Sequence, residues 1–404
     1  MRSSKRLIVA IIACLIPCAV TVEAQTAKKT RGGAPPRQQQ GVLIQKLRAA
    51  VRADPRNAET RNALGLALSK SGQFNPAVAE FREATTLKPD YLDAWTNLGV
   101  ALEQKGDLES ALEAIRKAAE LNPNGAELRI SLGSLLHRQQ RLDEAIAEFR
   151  YAAKLKPDSA EAHTNIGFIL AQEGDLEGSM KSFEEAIKIK PDLAEAHYFL
   201  GNGKLLTGDF AGAIASLREA VRLKPADDMS LQALGAALLR RATPADVAEA
   251  VAVMRRAVKL KPQSADALTS LGAALRESGE AEESIPVLRE AVKLKPSMIE
   301  ARNNLGLSLL GAGSYDAAIS EFREAIKLDD QSPSAHLNLG LALMRKGDAA
   351  LDEAVEQLET ATKLDPESAQ AWYQLSDALK KKGQTAASEE ALRKAEKLDP
   401  KLKK

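Results

Sequence analysis

The sequence predicts an all-α solenoid built from helix-turn-helix hairpins. Three observations carry this. Closing prolines recur at Pro55, Pro89, Pro123, Pro157, Pro191 and Pro225, each 34 residues after the last, then at Pro262, Pro296, Pro366 and Pro400, with Asp330 standing in for one. A Leu-Gly pair or its equivalent recurs in phase with them, from Leu64-Gly65 and Leu98-Gly99 to Leu339-Gly340, with Leu375-Ser376 in the last copy. Inside each period apolar residues fall at helical spacing twice over. A fixed period of this length marks a repeat architecture.

The stretch Leu92–Gly125 states the unit most cleanly. Ala94, Trp95, Leu98, Gly99, Ala101 and Leu102 line one face of a first helix; Leu108, Ala111, Leu112, Ile115, Ala118, Ala119 and Leu121 line a second. Gly106-Asp107 separates them, because glycine ends helices in the left-handed conformation and aspartate caps the next one. Asn122-Pro123 ends the second, since proline donates no N–H and disfavours helix in the residue before it. Helices this short are marginal alone, and one hairpin leaves its apolar face uncovered, so each copy requires neighbours.

The pattern resembles the tetratricopeptide repeat (TPR) family, whose copies place an aromatic, Leu-Gly, Ala, an aromatic, Ala and Pro at set offsets. Copy two shows Trp95, Leu98, Gly99, Ala111, Ile115, Ala118 and Pro123; copy one shows Arg61, Leu64, Gly65, Ala77, Phe81, Ala84 and Pro89. The resemblance implies a right-handed superhelical solenoid of ten copies, 58–91, 92–125, 126–159, 160–193, 194–227, 228–264, 265–298, 299–332, 333–368 and 369–402. The fourth position often holds His, Arg or Leu in place of the aromatic, and these changes are expected to weaken packing in single copies.

In chain order, residues 1–24 read as a secretory signal, with a charged start at Arg2, Lys5 and Arg6, an apolar run Leu7–Val22 and Val22-Glu23-Ala24 at the cleavage site. Readings as an uncleaved anchor, or as a lipid attachment at Cys14, stay open. Residues 25–40 read as a flexible basic linker. Residues 41–57 form a half-repeat cap, whose helix Val42–Ala53 is expected to turn Leu43, Leu47, Ala50 and Val51 toward copy one. Copy five is soft, through Gly201, Gly203, Gly208 and Gly212. Copy six carries three extra residues within Arg240–Asp246, expected to lengthen its turn, with Thr243 as N-cap and Pro244 at the first helical position. A change of pitch or a hinge is expected over 201–250. Copy nine carries two extra residues near Asp348–Asp352, and the polar last helix of copy ten serves as its own cap. Lys88, Lys156, Lys190, Lys224, Lys261 and Lys295 precede closing prolines, where positive charge suits a helix C-terminus.

Basic and acidic residues number 56 and 55 and are interspersed, which argues against a general nucleic-acid or membrane-surface role. Membrane contact is expected only through the N-terminal segment, if it is uncleaved or lipidated. The two cysteines, Cys14 and Cys18, precede the array, so it has neither a thiol nucleophile nor a disulfide. His163, His197 and His336 share the fourth position of their copies, and His163 with His197 offers two metal ligands at most, without a third. No catalytic constellation, cofactor motif, metal site or small-molecule site is legible, so the chain reads as non-catalytic.

What remains is the face of the first helices, which in the family lines the concave side. Its sixth position holds Asn97, Asn165, Asn304, Asn338 and Gln374, interrupted by Ala63, Ser131, Phe199, Ala233 and Ser270. An amide both donates and accepts, and can pair with a peptide backbone of any sequence. The ladder is similar to the one in the repeat region of O-linked N-acetylglucosamine transferase. The ninth position is apolar at Leu66, Val100, Phe168, Leu307 and Leu341; the second is acidic at Glu59, Asp93, Glu127, Glu161, Glu195, Asp266 and Glu300. The expected function is an exported, periplasmic or secreted scaffold holding an extended peptide or partner protein. The alternatives are a cell-envelope assembly or secretion spacer, and an accessory subunit of a glycosyltransferase or protease.

Overall fold

The computed structural model describes residues 37–402. The signal segment and the linker as far as residue 36 lie outside the described residues. Two compact units divide the chain, one ending at Gly203 and the other beginning at Lys204. Among the described residues every regular element is helical.

The first unit opens with α1 (Arg37–Ala53), followed by four hairpins: α2 (Ala58–Lys70) with α3 (Phe74–Leu87), α4 (Leu92–Lys105) with α5 (Leu108–Leu121), α6 (Ala126–Arg138) with α7 (Leu142–Leu155), and α8 (Ala160–Glu173) with α9 (Leu176–Ile189). The boundary falls inside helix α10 (Ala194–Thr207). The second unit contains α11 (Phe210–Leu223), α12 (Asp228–Arg241) with α13 (Pro244–Leu260), α14 (Ala265–Glu277) with α15 (Ala281–Leu294), α16 (Ile299–Gly311) with α17 (Tyr315–Leu328), α18 (Pro333–Lys346) with α19 (Leu351–Leu364), and α20 (Ala369–Lys381) with α21 (Thr385–Leu398). Within each hairpin the two helices pack together. In both units first helices of successive copies also touch, as α2 with α4, α6 with α8, and α12, α14, α16, α18 and α20 in series.

The turns follow the residues that encode them. Gly106 ends α4 at φ 89°, and Asp107 accepts from the Ser110 N–H at 3.3 Å. The hairpin crossing is set by the glycine of Leu-Gly. A Cβ on Gly306 would lie 2.5 Å from Cε1 of Phe322, and one on Gly65 2.6 Å from Cε1 of Phe81. Such approach is closer than any side chain at the crossing permits. The cores of Leu, Ile, Phe and Ala that run through copies one to four, four to five and seven to ten are continuous within their units.

Four expectations are corrected. Helix α1 begins at Arg37, so the last four residues assigned to the linker are helical. Its buried stripe is Ile44, with Leu47 and Val51 packed beside it, while Leu43 and Ala50 are exposed; the i, i+3, i+7 set starting at Ile44 is the one that meets copy one. The three extra residues of copy six extend its second helix to 17 residues, against 14 in α11 and α15, rather than its turn. There Thr243 and Asp246 form a reciprocal capping box ahead of Pro244, which starts the helix early. In copy nine the two extra residues do enter the turn, as a 3-10 segment Asp348–Ala350.

The fourth correction concerns the fourth position. In six of the ten copies, the side chain six residues after the closing residue bonds that residue's carbonyl: Arg61 donates to Pro55 at 2.8 Å, and Trp95 to Pro89, Arg302 to Pro296 and Trp372 to Pro366 at 2.9 Å. His197 pairs likewise with Pro191 at 2.9 Å and His336 with Asp330 at 3.1 Å. Arg61, Arg302, His197 and His336 preserve a contact rather than degrade an aromatic one. The arginines add a half-buried ion pair to the second helix, Arg61–Glu80 at 2.9 Å, Arg129–Glu148 at 3.1 Å and Arg302–Glu321 at 2.8 Å.

Candidate functional site

The first helices present the side chains expected to face a ligand, and the structure sorts them. Among the described residues the amides of Asn165, Asn304, Asn338 and Gln374 make no hydrogen bond, and all four are half-buried. Asn97 is engaged: its Nδ2 donates to Oδ1 of Asn62 in the preceding copy at 3.0 Å, and Asn62 donates in turn to the Tyr91 hydroxyl at 3.3 Å. Two further links join neighbouring first helices at the same spacing, Arg138 to Glu103 at 2.6 Å and His137 with Gln172 at 3.0 Å. Part of the polar face in the first unit therefore binds copy to copy.

The ninth position divides similarly. Leu66 and Val100 are exposed, at 37% and 41%, and Leu307 and Leu341 are half-buried. Phe168 is not available: it is buried between Phe183 and Phe199, with ring centroids 5.4 Å and 4.5 Å away, edge to face in both cases. The aromatic residues of copies four and five close over it, which corrects its expected place on the binding face.

In the acidic row, Glu59 pairs with Lys88 at 2.9 Å and Glu127 with Lys156 at 3.1 Å. The lysine side chain, ahead of the backbone, holds the Glu59 carboxyl below its usual range; for Glu127 the backbone hydrogen bond is the larger cause and Lys156 the second. Lys88 and Lys156 thus fasten the end of a copy to its beginning, as Lys261 does through Asp228 at 2.9 Å. Lys190 stands at the corresponding place for Glu161, but among the described residues the two make no bond. Burial, and then the charge of Glu127, push its carboxyl above the usual range.

In copy eight, Oδ1 of Asn303 is buried without a partner. Such an orphaned acceptor costs about 1–3 kcal/mol. Asn303 precedes Asn338 by the same interval as Asn62 precedes Asn97.

Other features do not form a site. His197 uses one ring nitrogen on Pro191, and among the described residues there is no group of three or more His, Cys, Asp or Glu placed to hold a metal. A groove of about 680 Å³ opens beside the copy-nine insertion, but its charges are internally paired, Lys346 with Asp316 and Arg323 with Glu353 at 2.6 Å each. Among the described residues no helix is long and apolar enough to cross a membrane.

A stack of two-helix repeats with spare polar and apolar groups on one set of helices defines a repeat scaffold for protein interaction. Family models confirm which one: those described as tetratricopeptide repeat or TPR repeat match residues 62–126 and 245–299, 133–174, 169–203, 312–347 and 350–383, and 194–227 and 369–402. The chain belongs to the tetratricopeptide repeat family. Among solved structures it is similar to YrrB, described as a TPR protein with an unusual peptide-binding site, at 22% identity over 46% of this chain and 96% of that one, with a TM-score of 0.41. It is also similar to the MamA protein, at 25% identity over 43% of this chain and 94% of that one, with a TM-score of 0.39. Among curated proteins, none matches.

Proposed function

We propose that this chain is a non-catalytic scaffold that holds an extended segment of a partner protein against its first helices. The observation that carries the reading is the run of unpaired amides in three successive copies, Asn304, Asn338 and Gln374, beside Leu307 and Leu341. These amides are uncommitted within the protein and partly exposed, and an extended backbone offers both donors and acceptors to them. Neighbouring helix axes lie about 8–10 Å apart, and an extended chain advances about 3.3 Å per residue, so adjacent rungs would meet every third residue or so. A rigid array leaves only the ligand to be ordered, which favours affinity. Leucines at the ninth position suit apolar ligand side chains, and exposed Glu300, in copy eight, suits a lysine or arginine.

The reading includes export, carried by the residue pattern of 1–24; sequencing of the mature N-terminus should begin at Gln25. Affinity capture of the mature protein from its own extract, read by mass spectrometry, identifies the partner. The triple variant Asn304→Ala, Asn338→Ala, Gln374→Ala should then weaken binding at least tenfold, about 1.4 kcal/mol, without changing the helical signal. Unchanged affinity would remove the proposal.

A further inference from the structure

The same pair of asparagines occurs twice in the same register, and only one pair is joined. Asn62 and Asn97 stand 35 residues apart at the fifth position of copy one and the sixth of copy two, and bond at 3.0 Å. Asn303 and Asn338 occupy the corresponding places in copies eight and nine. There the Asn303 oxygen is buried without a partner, and the Asn338 amide makes no hydrogen bond among the described residues.

The neighbours account for the difference. Tyr91 closes copy one, and its hydroxyl accepts from Asn62 Nδ2 at 3.3 Å, orienting the Asn62 oxygen toward Asn97. The equivalent residue of copy eight is Ser332, whose short hydroxyl is committed to capping α18 through the Ala335 N–H at 3.4 Å and to Ser334 at 3.2 Å. Asn303 therefore has nothing to hold its amide in the orientation that would capture Asn338. An amide already bonded within the protein must break that bond before it serves a ligand; one left open need not.

We infer that the Tyr91–Asn62–Asn97 chain latches the ladder shut in copies one and two, and that the peptide-reading register lies in copies eight to ten, where Asn338 is left open beside Asn304 and Gln374. This rests on the proposed function for its ligand, an extended peptide, but the latch itself is a property of the free chain. Asn97 is accordingly a residue that holds copies together, although its place in the repeat is that of a ligand-binding rung.

Two measurements on the full-length chain separate the latch from the reading beneath it. In hydrogen exchange without ligand, Asn97→Ala should speed exchange in α2 and α4 several-fold, while Asn338→Ala leaves α16 and α18 unchanged. Asn303→Ala, which deletes the orphaned oxygen, should slow exchange there or leave it alone, whereas Asn62→Ala speeds it in its own copies. Equal effects of Asn97→Ala and Asn338→Ala would overturn the inference. In the second measurement a fluorescently labelled peptide of repeating Leu-Ser-Lys is titrated by anisotropy. Its binding should weaken about tenfold in Asn338→Ala and stay as in wild type in Asn97→Ala. Weakening by Asn97→Ala alone would overturn the inference while leaving the proposed function standing. A peptide that binds neither wild type nor variant counts against the proposed function, and the exchange comparison still decides the latch.

Discussion

Replacing Gly306 by alanine tests whether the hairpin crossing depends on the missing side chain. The added Cβ would lie 2.5, 2.7 and 2.9 Å from Cε1, Cζ and Cδ1 of Phe322. Relaxed carbon–carbon contacts are about 3.5–4.0 Å, so the overlap approaches about 1 Å. Phe322 is fully buried among Leu305, Leu309, Ile319 and Leu339. Helices α16 and α17 must separate, and overpacking of this kind costs about 1–3 kcal/mol. Alanine returns about 1 kcal/mol through helix propensity, so the net effect is a loss of up to about 2 kcal/mol. Gly311, in the same helix, meets only Ala281 Cβ at 3.7 Å. Gly311→Ala keeps the propensity gain without the clash and should stabilise by up to about 1 kcal/mol. Gly235→Ala should fall between them, because its obstruction is the flexible end of Met254. Urea unfolding midpoints, with exchange rates over residues 299–332, read the order. If Gly306→Ala stabilised the chain as much as Gly311→Ala, the close-crossing argument would be refuted.

Four further expectations concern single contacts. Trp372→Phe keeps the ring but loses the bond to the Pro366 carbonyl, and should lower stability by about 1 kcal/mol; Arg302→Leu also strands half-buried Glu321 and should cost about 1.5–3 kcal/mol, both measured by urea unfolding. Asp246 is held ionised by Arg241 first and by Thr243 second, far below the usual carboxylate range. A depressed carboxyl stabilises the fold fully above its unfolded pKa and progressively less as pH falls below about 4. The thermal stability of wild type should therefore exceed that of Asp246→Asn at pH 7, and the gap should narrow steadily through acid; a gap independent of pH would refute this. Glu161 has the opposite sign: its raised carboxyl disfavours the fold once ionised, so Glu161→Gln should raise the melting temperature at neutral pH and leave it unchanged in acid.

The architecture was legible because its signals are local and recur. The proline interval, Gly106-Asp107 and the Thr243-Pro244 start each act through the backbone of one or two residues, and the structure places them as the sequence implies. Contacts made between copies were harder to read. Arg61 and His197 look like failed aromatics until they are seen, with Trp95 and Trp372, as N–H donors six residues after a closing proline; that spacing was present in the sequence. The pairing of Lys88 with Glu59 was visible as two separate patterns, a basic helix end and an acidic helix start, and the hairpin joins them. The states of Asn97 and Asn338 could not be separated by register, since both occupy the same position. Their difference depends on Tyr91 against Ser332 in the copy before. Phe168 was misplaced for a related reason: its burial is decided by Phe199, one copy later.

All of this requires that a hairpin owes its helices to its neighbours, which frees its remaining side chains for a partner. Circular dichroism of the isolated copy 92–125, compared with chains carrying progressively more copies, tests that dependence most directly. The expected result is a lone copy with little helix, and a melting temperature that climbs with each copy added before levelling off. A single copy that is fully helical and melts cooperatively at the temperature of the whole chain would contradict it.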